Sequence, residues 1–214
     1  MTQKIALITG ASRGLGAAMA EALAPEYHII AVAKTVGALE ELDDQIKSKG
    51  GDATLAPMDI TNDGAMQHLC KSIHERWGQI DLWIHAAVHA APLSPAPHVN
   101  EKDWDKSFAV NTRATSRLIA YVAPLLGQTG RAVFFDDATI DTAFYGSYGA
   151  SKAAQLALVR SWQAETVRTG PRVDIATPHA MPTATRGRFH PGEDRSKLTS
   201  PGSEAQRIAT ALSL

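Results

Sequence analysis

The stretch KIALITGASRGLG, residues 4–16, followed directly by AAMAEALA, residues 17–24, decides the reading of the fold. Residues 4–9 form a short apolar run with no helical period. Gly10, Gly14 and Gly16 then punctuate a loop, and an alanine-rich helix former follows. The order is strand, glycine loop, helix. In that context Gly10 permits a tight turn, Gly14 lets a phosphate approach the backbone, and Gly16 lets the helix pack close to the strand. The free N–H groups and positive dipole of the helix start favour an anion there.

Working outward, the same alternation recurs without internal sequence similarity. Strand-like runs lie at 28–33, 52–57 and 80–86, separated by a helix with Leu39, Leu42 and Ile46 at helical spacing and by a helix over about 62–77. A proline-rich loop leads to a helix over about 101–126, with Trp104, Phe108, Leu118, Ile119, Val122 and Leu125 as its expected buried face. A strand at 131–136, a helix over about 145–168, a strand at 172–177 and a last helix over about 203–212 complete the series. Alternating strands and helices imply a parallel sheet with helices on both faces, a doubly wound α/β fold of six strands. At 214 residues the chain is expected to be one domain. The long irregular stretch over 179–202 reads as a functional loop.

Composition narrows the function. The chain is 44% hydrophobic and 20% charged with a net charge of -1, so no basic excess supports nucleic acid as a partner. No apolar run is long enough to cross a membrane. A single cysteine, Cys70, excludes a disulfide framework or a cysteine-rich zinc site within one chain, and the expected location is the reducing cytoplasm. No metal site is expected.

The glycine loop points to a dinucleotide. An adenosine ribose with a free 2′-OH is normally held by an acid at the end of the second strand, and that strand ends Val32-Ala33-Lys34-Thr35 instead. With Arg13 in the loop itself, Lys34 supplies a second cation for a 2′-phosphate, which favours NADP, with NAD as the alternative. Ser12 and Leu15 complete the loop. Asp59, just after the third strand, can accept from an adenine amino group or cap a turn.

Tyr148 and Lys152 are four residues apart on one helix face. An ammonium beside a phenol lowers the phenol pKa from about 10 and makes it a usable acid or base. Together with TGASRGLG, the run YGASK at 148–152 resembles the active-site motif of the short-chain dehydrogenase/reductase family, and the likeness extends over nearly the whole chain. The resemblance implies Tyr148 as proton donor or acceptor, Lys152 on the nicotinamide ribose, and Asn111 holding a relay water through Lys152. Asp59-Ile60 matches the family's adenine-side pair, Ala86 and Ala87 lie on the cofactor path, and Pro178 to Thr183 resembles a Pro-Gly motif whose threonine contacts the nicotinamide end.

The departures are equally specific. His85-Ala86-Ala87-Val88 stands where the family has Asn-Asn-Ala-Gly, so Val88 adds bulk on the cofactor path, and His179 does so at the sixth strand. His85 itself reads as a packed strand-end residue. No serine precedes the tyrosine at the family's position; Asp136, Asp137 and Thr139 stand near its place, with Asp137 the expected occupant. The resemblance would imply a seventh strand, and six are expected here. In the 179–202 loop, Arg186, Arg188 and His190 could hold an anionic acyl or phosphate group, and the loop stands where the family closes a lid.

The resulting expectation is an NADP-dependent oxidoreductase moving hydride between a nicotinamide and a small carbonyl or alcohol substrate of ketone or 3-oxoacyl type. It is expected as a homodimer built on the helices that start near Glu101 and Tyr145. The alternative is a nucleotide-binding homologue with little turnover, serving as a sensor or interaction subunit.

Overall fold

The computed structural model describes residues 3–214. Six strands form one parallel sheet: β1 (Lys4–Thr9), β2 (Tyr27–Ala33), β3 (Ala53–Pro57), β4 (Leu82–His85), β5 (Arg131–Phe135) and β6 (Arg172–Ala176), in the spatial order β3-β2-β1-β4-β5-β6. The helices are α1 (Gly14–Leu23), α2 (Val36–Ser48), α3 (Asp63–Trp77), α4 (Glu101–Ser107), α5 (Ala114–Leu126), α6 (Gly146–Thr166), α7 (Ala184–Phe189) and α8 (Pro201–Leu212). The expected six-stranded doubly wound sheet is the observed one.

Both faces of the sheet are covered, which is why its strands read as nearly continuous apolar runs. Ile5 and Leu7 of β1 point into one core with Ile30, Trp83, Phe134 and Trp162, whereas Ala6 and Ile8 point into the other with Met19, Ile29 and Leu39. Trp83 is fully buried at the centre of the first core, its ring 5.1 Å from that of Phe134 and 6.3 Å from that of Trp162.

Three segments differ from the sequence reading. The helix expected over 101–126 is interrupted by a π-helical turn at Phe108–Arg113, centred on buried Asn111. Trp104, expected in the core, is 40% exposed and stacks on Phe108 at 4.6 Å instead. The 179–202 stretch is not wholly irregular: α7 forms because the Thr183 hydroxyl accepts from the Arg186 N–H, a side-chain cap, and a 3-10 turn follows at Arg195–Lys197. The last helix starts earlier than the apolar pattern suggests, with Ser200 capping it and Pro201 in its first turn.

The strand order reverses between β1 and β4. At such a switch point the loops leaving neighbouring strands diverge and open a crevice beyond the carboxyl ends of the strands. Here the loops are the glycine loop after Thr9 and the segment after His85, joined by a hydrogen bond from the Ala86 N–H to the Thr9 carbonyl at 2.8 Å.

Candidate active site

The glycine loop is shaped by close approaches that only glycine allows. Gly10 has φ +83°, and a Cβ there would lie 2.5 Å from the backbone nitrogen of Ala87. A Cβ on Gly16 would lie 2.2 Å from the Gly10 carbonyl oxygen. No side chain caps α1, so its first-turn N–H groups face the crevice without a side-chain partner. Arg13 and Lys34 are exposed, and Ser12 and Leu15 are half-buried beside them. A chain built this way fits a dinucleotide: the backbone leaves room for phosphates, the helix start favours them, and two cations stand near.

Lys34 has a neighbour, since its ammonium lies 3.6 Å from Asp59. Asp59 is also the acceptor of an Asx turn, receiving the Thr61 N–H at 2.9 Å and the Thr61 hydroxyl at 2.8 Å. Partial burial pushes its carboxyl up, but the two Thr61 bonds and the Lys34 charge outweigh it and hold the pKa below the usual range. Ile60 beside it is buried. Thr183 does come to the glycine loop: a Cβ on Gly14 would touch its methyl at 3.4 Å. Pro178 is half-buried, while His179 turns away, its N–H and Nδ1 bonded to buried Glu204 of α8 at 2.9 and 3.0 Å. Val88 is exposed on the loop after β4.

At the end of β5, α6 brings Tyr148 and Lys152 together, both buried. The Tyr148 hydroxyl donates to Asp137 Oδ2 at 2.8 Å, so Asp137 occupies the position beside the phenol. Asp136 does not: its Oδ1 accepts from the Asp137 N–H at 2.7 Å and its Oδ2 lies 3.3 Å from Arg160. Thr139 supports Asp137, donating its N–H at 2.9 Å and its hydroxyl at 2.6 Å to Oδ1.

The expected lowering of the Tyr148 pKa by Lys152 is not what the structure has. Burial first, and then the Asp137 carboxylate as charge and hydrogen-bond acceptor, push Tyr148 far above the ordinary phenol range. The Lys152 ammonium instead donates to the Phe135 carbonyl at 2.7 Å and to Gln155 Oε1 at 2.5 Å. Burial pushes it down to about 8, against the opposing pull of Asp137 and Asp136.

Asn111 also spends its side chain differently from the sequence expectation of a residue that holds a relay water. Its Oδ1 accepts from the His89 N–H at 2.7 Å, and its amide donates to the His89 carbonyl at 3.0 Å and to Ser151 Oγ at 2.9 Å. It clamps the loop after β4 onto α6, and the π turn is what aims it there.

Sequence reading missed a buried polar chain beneath the site. Thr115 donates its hydroxyl to the Asn111 carbonyl at 2.7 Å and accepts from the Gln155 amide at 2.7 Å. Its third contact, His85 Nε2 at 3.0 Å, must therefore be an N–H donor, because a hydroxyl has one proton to give. That leaves His85 Nδ1 to accept from Thr9 Oγ1 at 2.7 Å. Burial, assisted by the Lys152 charge, pushes His85 down to about 3, so it stays a neutral link between β1 and the Gln155–Lys152 pair. The signal in the sequence was Gln155, a polar residue on the buried face of α6.

Above the phenol, Phe189 of α7 packs on Tyr148 and Tyr145, with ring centroids at 4.9 and 5.0 Å. The cations of this segment are largely spoken for. Arg186 makes a two-pronged pair with Glu193, Lys197 lies 3.6 Å from Asp194, and Arg188 donates to the Ala90 carbonyl at 2.8 Å.

The family model described as short chain dehydrogenase matches residues 4–194. The chain belongs to the short-chain dehydrogenase family. It is similar to an oxidoreductase of Staphylococcus epidermidis, 28% identical over 215 residues, covering 98% of this chain and 89% of that one. Among solved structures it resembles an alcohol dehydrogenase from the archaeon Thermococcus sibiricus complexed with 5-hydroxy-NADP, 27% identical with TM-score 0.86, covering 99% and 91% of the two chains. It also resembles a short chain dehydrogenase of Shigella flexneri complexed with NADP, 25% identical with TM-score 0.87, covering 94% and 87%. The chain is accordingly an oxidoreductase of a nicotinamide-dependent family. None of its described helices is long and apolar enough to cross a membrane.

Proposed function

We propose that the protein is an NADP-dependent oxidoreductase acting between a carbonyl and an alcohol of a small molecule. The observation that carries this reading is the convergence of Tyr148 and Lys152 on the end of β5, within the crevice whose other wall is the glycine loop. When bound, a nicotinamide supplies or accepts hydride at its ring. The protein's own groups do the rest. Arg13 and Lys34 hold the 2′-phosphate, and the α1 amides, Gly10, Ser12, Gly14, Leu15 and Gly16 line the diphosphate. Asp59 and Ile60 flank adenine, and Ala86, Ala87, Pro178 and Thr183 border the path to the nicotinamide. Lys152 is the residue that would hold the nicotinamide ribose, and Tyr148 the one that would exchange the proton at the substrate oxygen. Support for NADP comes from the absence of an acid at the end of β2 and from the NADP complexes of the two similar structures.

A second reading has its own observation. Because the Tyr148 hydroxyl is held by Asp137 and its acidity is suppressed, the chain could bind the nucleotide with little carbonyl turnover and act as a sensor or interaction subunit. A homodimer through α4 and α6 fits both readings, and the exposed Trp104 ring on α4 supports it. So does a location in the cytoplasm, given one buried thiol, Cys70, and no described partner for a disulfide.

The test is a tryptophan-fluorescence titration with NADPH and NADH followed by a screen of ketones, 3-oxoacyl thioesters and alcohols. Tight NADPH binding with turnover supports the first reading, tight binding without turnover the second, and no binding of either nucleotide overturns both.

A further inference from the structure

Asp137 lacks a cation of its own. Both of its oxygens act as acceptors, Oδ1 from the Thr139 N–H and hydroxyl and Oδ2 from the Tyr148 hydroxyl, the pattern of a carboxylate. The cations that feel its charge are Lys152 and Arg186, and neither is bonded to it: Lys152 donates to the Phe135 carbonyl and Gln155, and Arg186 is committed to Glu193. No ion pair to Asp137 exists among the described residues, whereas the adjacent Asp136 has Arg160.

Beside this carboxylate stands Tyr148, one member of a cluster of three aromatic rings. Tyr145, Tyr148 and Phe189 have centroids 4.9 to 6.2 Å apart and pack with Ala90, Leu93 and Ile140. Aromatic faces attract cations through the ring quadrupole, most strongly where water is excluded. A carboxylate without an ion pair, at the edge of an aromatic cluster, is complementary to a protonated nitrogen with an apolar body. For a ketone the same site is adverse, because hydride addition places negative charge on an oxygen near Asp137 and requires a proton from a phenol whose acidity is suppressed.

We propose that Asp137 and its aromatic neighbours make this site a receptor for a protonated imine, which serves as hydride acceptor in preference to a ketone. The proposal rests on the reading of the chain as a nicotinamide-dependent reductase. With a reduced nicotinamide as co-reactant, the new C–H bond forms at the iminium carbon and the C=N π pair withdraws to nitrogen. The products are a neutral amine and the oxidised nicotinamide, and the step itself consumes no proton. Asp137 acts by binding and retaining the imine in its protonated, electrophilic form. Its loss therefore raises KM more than it lowers kcat.

The test uses 3,4-dihydroisoquinoline against 1-tetralone as substrates, and calorimetric binding of the 1,2,3,4-tetrahydroisoquinolinium cation, which needs no turnover. Wild type is expected to bind the cation about tenfold more tightly than Asp137→Asn does, as for a hydrogen-bonded charge pair. It is also expected to reduce the imine with the higher kcat/KM, and Asp137→Ser repeats the loss with a smaller side chain. Equal affinity for the cation in wild type and in variants that melt like wild type would overturn the proposal, as would a wild-type preference for 1-tetralone. Failure of NADPH to bind would instead strike the reductase reading and leave the calorimetric comparison standing as a separate result.

Discussion

The Tyr148 hydroxyl donates to Asp137 Oδ2 at 2.8 Å, so the phenol expected to exchange protons with substrate is bonded to a carboxylate that holds its proton in place. Replacing Asp137 with serine removes a charge worth several kcal/mol at low effective dielectric and supplies a neutral donor. Asp137→Ser is expected to raise ketone reduction about tenfold or more, and to move the alkaline limb of its pH–rate profile down as the Tyr148 pKa falls. Steady-state rates from about pH 6 to about pH 10 check this. An unchanged rate and profile would remove Asp137 from the proton path.

Cofactor choice is expected to rest on Lys34. Its ammonium is exposed and 3.6 Å from Asp59, free to swing onto a 2′-phosphate. Lys34→Ala should weaken NADPH binding about tenfold, the loss of one charge-assisted contact, and leave NADH binding within about twofold. Fluorescence titration of both nucleotides reads the difference, and equal effects on the two would count against the assignment.

Lys152 carries a pH signature. Burial holds its folded-state pKa at about 8, below the value of about 10.4 in an unfolded chain. Between those values the unfolded chain binds more protons, so this group's contribution to stability rises with pH over that window. The stability of wild type relative to Lys152→Met should therefore increase by about 2 kcal/mol between about pH 8 and about pH 10, measured by urea unfolding. A flat difference would show that Lys152 is not desolvated.

Gly10 is expected to tolerate no side chain. It sits at φ +83°, with the Ala87 backbone 2.5 Å from where a Cβ would stand. Gly10→Ala should therefore cost about 3 kcal/mol or more, because backbone cannot yield as a side chain can. Gly37→Ala in α2, where a Cβ meets nothing within 4 Å, should be neutral or stabilise by about 0.5–1 kcal/mol. Thermal melts of the pair separate the local clash from a general intolerance of substitution.

The fold was legible because the strands of a sheet covered on both faces are nearly continuous apolar runs, and because Gly10, Gly14 and Gly16 mark one turn geometry. What escaped the sequence was contact across elements. Nothing near Asn111 announces the π turn at Phe108–Arg113, within which Asn111 bonds to the loop after β4. The choice among Asp136, Asp137 and Thr139 turns on which side chain faces Tyr148, and Arg160, further along α6, draws Asp136 away. Charge signs in the 179–202 stretch were visible, but the pairing of Arg186 with Glu193 requires the chain reversal after α7.

The neutral His85 link has a consequence for how this chain can change. Thr9 adjoins the first glycine of the nucleotide loop, yet through His85, Thr115 and Gln155 its hydroxyl ends at the ammonium of Lys152. The links of that relay are buried, so a lone replacement at His85, Thr115 or Gln155 leaves a neighbouring polar group short of a partner. Across descendants of this sequence the four positions should drift as a set, and the grip on the lysine would be inherited whole or rebuilt whole.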